Sequence, residues 1–156
     1  MLAGAVRWLG LDIGAARVGV AVCDEAEAVV TPLSTIPFRG PADLARRVAA
    51  MAAERGCRGV ALGLPRTASG VSRGERRVAE VARELRRQGD LQVVLVDEVG
   101  TTREAKQRLA EAGHWGRRLA ARLDGVAAAI ILEELLQTRR AGACAAPAVD
   151  LDGGQC

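Results

Sequence analysis

Two short runs, Gly59–Leu64 and Leu91–Val96, are apolar almost without interruption, and each follows a segment whose apolar residues recur at helical spacing. A strand that is apolar on both sides must be covered on both faces. That is the environment of a parallel strand sandwiched between helices. The preceding segments supply the helices. Pro41 opens the first, Leu44, Val48 and Met51 mark its buried face, and Gly56 stops it. In the second, Val78, Val81, Ala82 and Leu85 share one face and Gly89 ends it. This order predicts β-α-β crossovers in a single sheet.

The residues before Pro41 follow a different rule. Trp8–Ile13 is apolar apart from Asp12, and Val18, Val20 and Val22 alternate with small residues. With Gly14-Ala15-Ala16-Arg17 between them they read as a hairpin. A third strand is expected over Ala28–Ile36, at an edge because Pro32 interrupts it. The expectation is an α/β fold with a five-stranded mixed sheet, three antiparallel strands then two parallel, flanked by helices. Thr101 and Glu104 predict a capping box for a third helix ending near Gly113. Asp124 stands at the head of a fourth, through the apolar stretch Gly125–Leu132 to about Gln137. Residues 1–138 are expected to form one domain and residues 139–156, rich in Ala and Gly, a flexible tail.

Hydrophobic residues make up 49% of the chain and aromatics only 2%, so the core has to be aliphatic. Cys23, Cys57, Cys144 and Cys156 fit no zinc spacing. Two of them sit in apolar strand-like segments, as buried free thiols do, and a reduced, cytoplasmic protein is expected. Asp12 and Arg17 interrupt the apolar N-terminus, so no secretory leader is expected, and no apolar run reaches membrane-spanning length. The net charge of +3 permits a nucleic-acid partner without requiring one.

Three carboxylates stand where charge is unwelcome. Asp12 interrupts an apolar strand, Glu98 follows the strand Leu91–Val96 beside Asp97, and Asp124 precedes the most apolar helix. Each has a plain structural explanation: a turn aspartate, a solvated strand end and a helix N-cap respectively. Brought together, they would repel one another unless a divalent cation neutralised them, and oxygen-only ligation suits Mg2+ or Mn2+. Two such ions about 3.5–4 Å apart can clamp both oxygens of a phosphodiester undergoing displacement.

Four segments, in order, resemble the YqgF/RuvX family of Holliday-junction-resolvase-like proteins, regarded as pre-16S rRNA nucleases. They are Leu9–Gly14 with Arg17–Ala21, Leu62–Pro65 with Gly70, Asp97-Glu98 with Thr101–Ala105, and Leu123–Leu132. The resemblance implies a ribonuclease H-like fold and a metal-dependent endonuclease. It places the family's acidic positions at Asp12, Glu98 and Asp124, as catalytic and metal-binding residues for Mg2+ or Mn2+. It implies processing of the 5′ end of pre-16S rRNA in ribosome biogenesis. The alternatives are a Holliday-junction or DNA-repair nuclease, and a nucleic-acid-binding protein with weak or lost catalysis. The last is raised by Val99, which stands where the family usually has arginine. An actin-like ATP-binding domain shares the first hairpin, but the chain is too short for two lobes.

Candidate nucleic-acid contacts are Arg17, Arg66, Arg73, Arg117, Arg118 and Arg122. Arg17 sits in the first turn, where it could pair with a carboxylate or reach a phosphate. Arg66 and Arg73 flank a polar loop before a helix N-terminus. Seven arginines against three glutamates lie between Arg66 and Arg87, a pattern that is equally a solvated face. Contacts of this kind would be salt-sensitive and blind to base sequence. His114 and Trp115 are expected to be structural. A monomer or weak homodimer that binds RNA or structured nucleic acid is expected, with no membrane association.

Overall fold

The structure, a computed structural model, describes residues 6–65, 72–97, 108, 111 and 117–141, with side chains of the last segment from residue 123 onward. Its sheet contains β1 (Arg7–Ile13), β2 (Arg17–Cys23), β3 (Val30–Pro32), β4 (Ile36–Pro37), β5 (Cys57–Leu64) and β6 (Gln92–Asp97). The order across the sheet is β3-β2-β1-β5-β6, and β4 pairs with β2 beyond the end of β3. β1 and β2 are antiparallel, whereas β5 runs parallel to β1 and β6 parallel to β5. The expected mixed sheet is therefore present.

The hairpin closes as its turn predicts, with the Gly14 amide donating to the Arg17 carbonyl at 2.9 Å. The single third strand does not form. Its segment divides into β3 and β4, each antiparallel to β2, with Leu33–Thr35 between them outside any strand. Pro32 removes a ladder donor at the last position of β3, and the strand breaks directly after it.

Helices cover both faces. α1 (Pro41–Arg55) has Pro at its start and ends on Gly56, whose φ of 67° lets its amide reach the carbonyls of Ala52 and Ala53. α2 (Arg73–Arg87) begins at Ser72, whose hydroxyl accepts from the Glu75 amide at 3.1 Å. α3 (Arg117–Arg140) is the longest of the described helices. It corrects two expectations. Asp124 is not the head of the helix but its eighth residue, because Arg117–Leu123 is built of strong helix formers that need no break before the aspartate. The helix also runs through Arg140, past the expected end near Gln137, so Arg139 belongs to the helix and not to a tail. The predicted helix over Thr101–Gly113 lies outside the described residues except for Arg108 and Glu111, and Arg108 pairs with Glu133 of α3 at 3.1 Å.

The two faces of the sheet are built differently. Leu9, Leu11, Ile13, Val18, Val20, Val22, Val60, Leu62, Val93 and Leu95 pack with the buried sides of α1 and α2. The opposite face carries Trp8, Ala21, Cys23, Ala61 and Val96 against Ala128, Ile131, Leu132 and Leu135 of α3. Each fully buried Leu or Ile contributes about 1.5–3 kcal/mol. Small residues on the α3 side allow the helix to approach the strands closely.

Candidate active site

Side chains alternate along β1: Leu9, Leu11 and Ile13 enter the α1–α2 core, and Trp8 enters the α3 core. By that alternation Gly10 and Asp12 face α3. The pairing agrees. Asp12 lies directly opposite Gly19 of β2, and opposed residues share a face. Of the strand glycines that face the helix, Gly19 leaves the least room for a side chain. A Cβ there would stand 1.9 Å from the carbonyl oxygen of Asp124 and 2.9 Å from its Cα. Asp12 on the sheet and Asp124 on the helix are thus brought to one place by a residue that has no side chain. The next residue, Gly125, sits against the Leu33 carbonyl and Pro32, which fixes the helix over β2 and β3 at the same level.

Both carboxylates are half-buried. Arg17, the first residue of β2, brings its Nε to 3.0 Å from Asp124 Oδ2. The approach is off the line of the N–H, so that oxygen is buried yet accepts no directed hydrogen bond. The pair is a Coulombic contact and not a fitted bidentate one. Of the two roles expected for Arg17, the structure shows the carboxylate pairing.

β1, β5 and β6 are parallel, so their carboxyl ends meet at one edge, marked by Ile13, Leu64 and Asp97. This is where α/β sheets place their sites. Glu98 follows Asp97 directly in the chain and lies outside the described residues, as do Arg66, His114 and Trp115. Arg73 is exposed at the first position of α2, and Gly74 beside it lies against Pro65 at the end of β5. Arg117, Arg118 and Arg122 fall within α3 ahead of Asp124, but their side chains lie outside the described residues. Among the described residues no group of three His, Cys, Asp or Glu side chains gathers at one point. What is described is a pair of carboxylates, with Arg17 beside Asp124.

Sequence reasoning missed Gly19, the residue that makes the site possible. Its signal was present, because small residues alternate with valines along β2, but alternation alone does not say what the small side faces. It also missed the N-cap Ser72, which was legible as a Ser followed three residues later by Glu. A groove of about 590 Å³ near Ala52, Cys57, Gln88 and Asp90 lies at the amino ends of β5 and β6, away from the carboxylates.

Comparison with known proteins gives the class first. Thermus thermophilus RuvC, solved in complex with a Holliday junction substrate, matches with a TM-score of 0.55 and 12% identity, covering 86% of this chain and 96% of that one. The fold is the ribonuclease H-like fold. The family follows from sequence. The family described as RuvX: Holliday junction resolvase matches residues 6–138. A protein of Anaeromyxobacter sp. (strain Fw109-5) named "Putative pre-16S rRNA nuclease" is 40% identical over 138 residues, 87% of this chain and all of that one. One of the same name from Mycobacterium tuberculosis is 39% identical over 140 residues, 88% of this chain and 82% of that one. The chain belongs to the RuvX family, and as a member of a nuclease family it is a hydrolase acting on phosphodiester bonds.

Proposed function

We propose that the chain is a metal-dependent endonuclease that trims the 5′ end of pre-16S rRNA, with Asp12, Glu98 and Asp124 as the metal-binding carboxylates. The observation that carries this reading is the placement of Asp12 and Asp124 on one face at the edge formed by the carboxyl ends of the strands. Two half-buried carboxylates at that spot have no part in the core. A hard divalent cation fits them, because Asp124 Oδ2 is buried without a directed hydrogen bond and the donors are carboxylate oxygens. Mg2+ or Mn2+, once bound, would supply Lewis-acid polarisation of the phosphodiester and a lowered pKa for water.

The chain's own residues do the rest. The sheet holds Asp12 rigidly through its pairing with Gly19, and α3 holds Asp124 against the same glycine. Glu98, directly after β6, completes the proposed set. Arg73 at the α2 N-terminus, with Arg66, Arg117, Arg118 and Arg122, would hold the phosphate backbone and leave base sequence unread. The names of the curated relatives support the RNA substrate. The nuclease domain would extend to the end of α3. No helix of the described residues is long and apolar enough to cross a membrane, and the described cysteines, Cys23 and Cys57, are free, which supports action in the reducing cytoplasm.

The test is cleavage of precursor rRNA and of four-way DNA junctions by purified protein with Mg2+ or Mn2+, beside the Asp12→Asn, Glu98→Asn and Asp124→Asn variants. Cleavage of the RNA, lost in each variant while the fold persists, is the expected result. Cleavage of junctions alone would transfer the same site to DNA. Absence of metal-dependent cleavage of either substrate would overturn the reading.

A further inference from the structure

Asp124 already has a cation. The Arg17 guanidinium stands 3.0 Å from Oδ2, one of the two oxygens this carboxylate could offer a metal, and Arg17 cannot release its charge by losing a proton. The two partners are not equally committed. The Asp124 side chain is 21% exposed, whereas that of Arg17 is 55% exposed. Apart from Asp124, the contacts of Arg17 among the described residues are through its backbone, which accepts from the Gly14 amide and pairs with Pro37 across to β4. Its guanidinium can therefore leave without disturbing the sheet, and a partner this exposed gives up little on leaving. The missing hydrogen-bond alignment points the same way, because the oxygen is neutralised without being bound in a fixed geometry.

We infer that Arg17 is the resident counter-cation of the metal-free site, displaced from Asp124 when a divalent ion binds. This rests on the reading of Asp12 and Asp124 as metal-binding residues and goes beyond it. The arginine prevents an uncompensated half-buried carboxylate in the empty enzyme, and it competes with the metal for the same oxygen. After displacement its charge stands at the edge of the site, where a phosphate of the substrate has to lie.

The experiment is Mn2+ binding without nucleic acid, read from the free-ion electron paramagnetic resonance signal, for the wild type, Arg17→Gln and Arg17→Lys. Arg17→Gln should bind Mn2+ roughly three- to tenfold more tightly at low salt, with the difference shrinking as salt rises, while Arg17→Lys stays near the wild type. The metal-free Tm of Arg17→Gln should fall, and saturating Mn2+ should raise it more than it raises that of the wild type. A second measurement uses the wild type alone: the Arg17 Nε–H resonance should shift saturably with Mg2+. Equal or weaker Mn2+ affinity in folded Arg17→Gln, or an Arg17 resonance unmoved at saturating Mg2+, would overturn the inference and leave the metal site standing. Failure of the wild type and Arg17→Gln alike to bind Mn2+ would instead remove the metal site itself.

Discussion

The carbonyl of Asp124 occupies the space that a side chain on Gly19 would need, 1.9 Å from the position of its Cβ. This contact joins the two described carboxylates, since Gly19 is also the cross-strand partner of Asp12. Gly19→Ala should force α3 away from β2, because the obstructing atoms are backbone and cannot rotate aside. The expected cost is about 1–3 kcal/mol in chemical denaturation. Cleavage should fall by more than about tenfold even where the variant stays folded, since small misplacements of reacting groups are expensive. A Gly19→Ala protein with wild-type stability and activity would show that the helix is not seated as described.

Arg139 holds the far end of the same helix. Its Nε donates to Glu27 Oε1 at 2.8 Å and its guanidinium lies 5.0 Å above the Trp8 ring, with both ion-pair partners largely covered. Glu27 itself has a positive φ of 56°, so the turn carries backbone strain that this contact helps to hold. Arg139→Ala should lose about 1–2 kcal/mol, and Arg139→Lys should recover only part because the stacked planar group is absent. Urea unfolding of the two variants checks this, and equal loss in both would leave the stacking without weight.

Asp24 closes the turn between β2 and β3. Its Oδ1 accepts from the amides of Ala28 at 2.8 Å and Val29 at 3.1 Å, and these two bonds, the Val29 bond foremost, lower its pKa from the ordinary value of 3.8. The charged form is the one bonded, so folding favours deprotonation. Its stabilisation is present above the unfolded pKa and is lost as pH falls through the lower folded value. Asp24→Ala should therefore lower Tm at neutral pH, and its gap to the wild type should close in strong acid. A gap constant from pH 7 to pH 2 would contradict this.

Cys23 and Cys57 are buried free thiols whose pKa values are raised above 9.0, chiefly by burial. They should resist thiol reagents at neutral pH in the native protein and react on unfolding. Because the unfolded thiols ionise first, their contribution to stability is whole below pH 9 and declines as pH rises beyond it. Rapid labelling at these two positions under native conditions, mapped by peptide mass, would refute the burial.

Much of this was legible in sequence for definite reasons. Pro41 and Gly56 bound α1 where backbone chemistry requires, and the uninterrupted run Leu91–Val96 marked a strand covered on both sides. Asp12 was legible as misplaced charge. Asp124 was legible as a candidate but misread as a cap, because local preference for aspartate at helix starts competes with the helix-forming strength of Arg117–Leu123. What joins the two aspartates was not legible. It depends on a glycine whose meaning appears only once β2 is paired to β1 and α3 laid across both. The three-residue break in the third strand segment, Leu33–Thr35, likewise depends on where Pro32 falls against β2.

The unequal faces of the sheet have a consequence for how this chain can change over time. Beneath α1 and α2, bulky aliphatic residues interlock, and exchanges among Val, Leu and Ile can be absorbed by their neighbours. Beneath α3 there is no such reserve: a Cβ on Gly10 would stand 2.7 Å from the Ala128 carbonyl, as one on Gly19 meets Asp124. Drift should accumulate on the first face and stall on the second, where helix backbone resists a side chain at either glycine whatever becomes of the cleavage site.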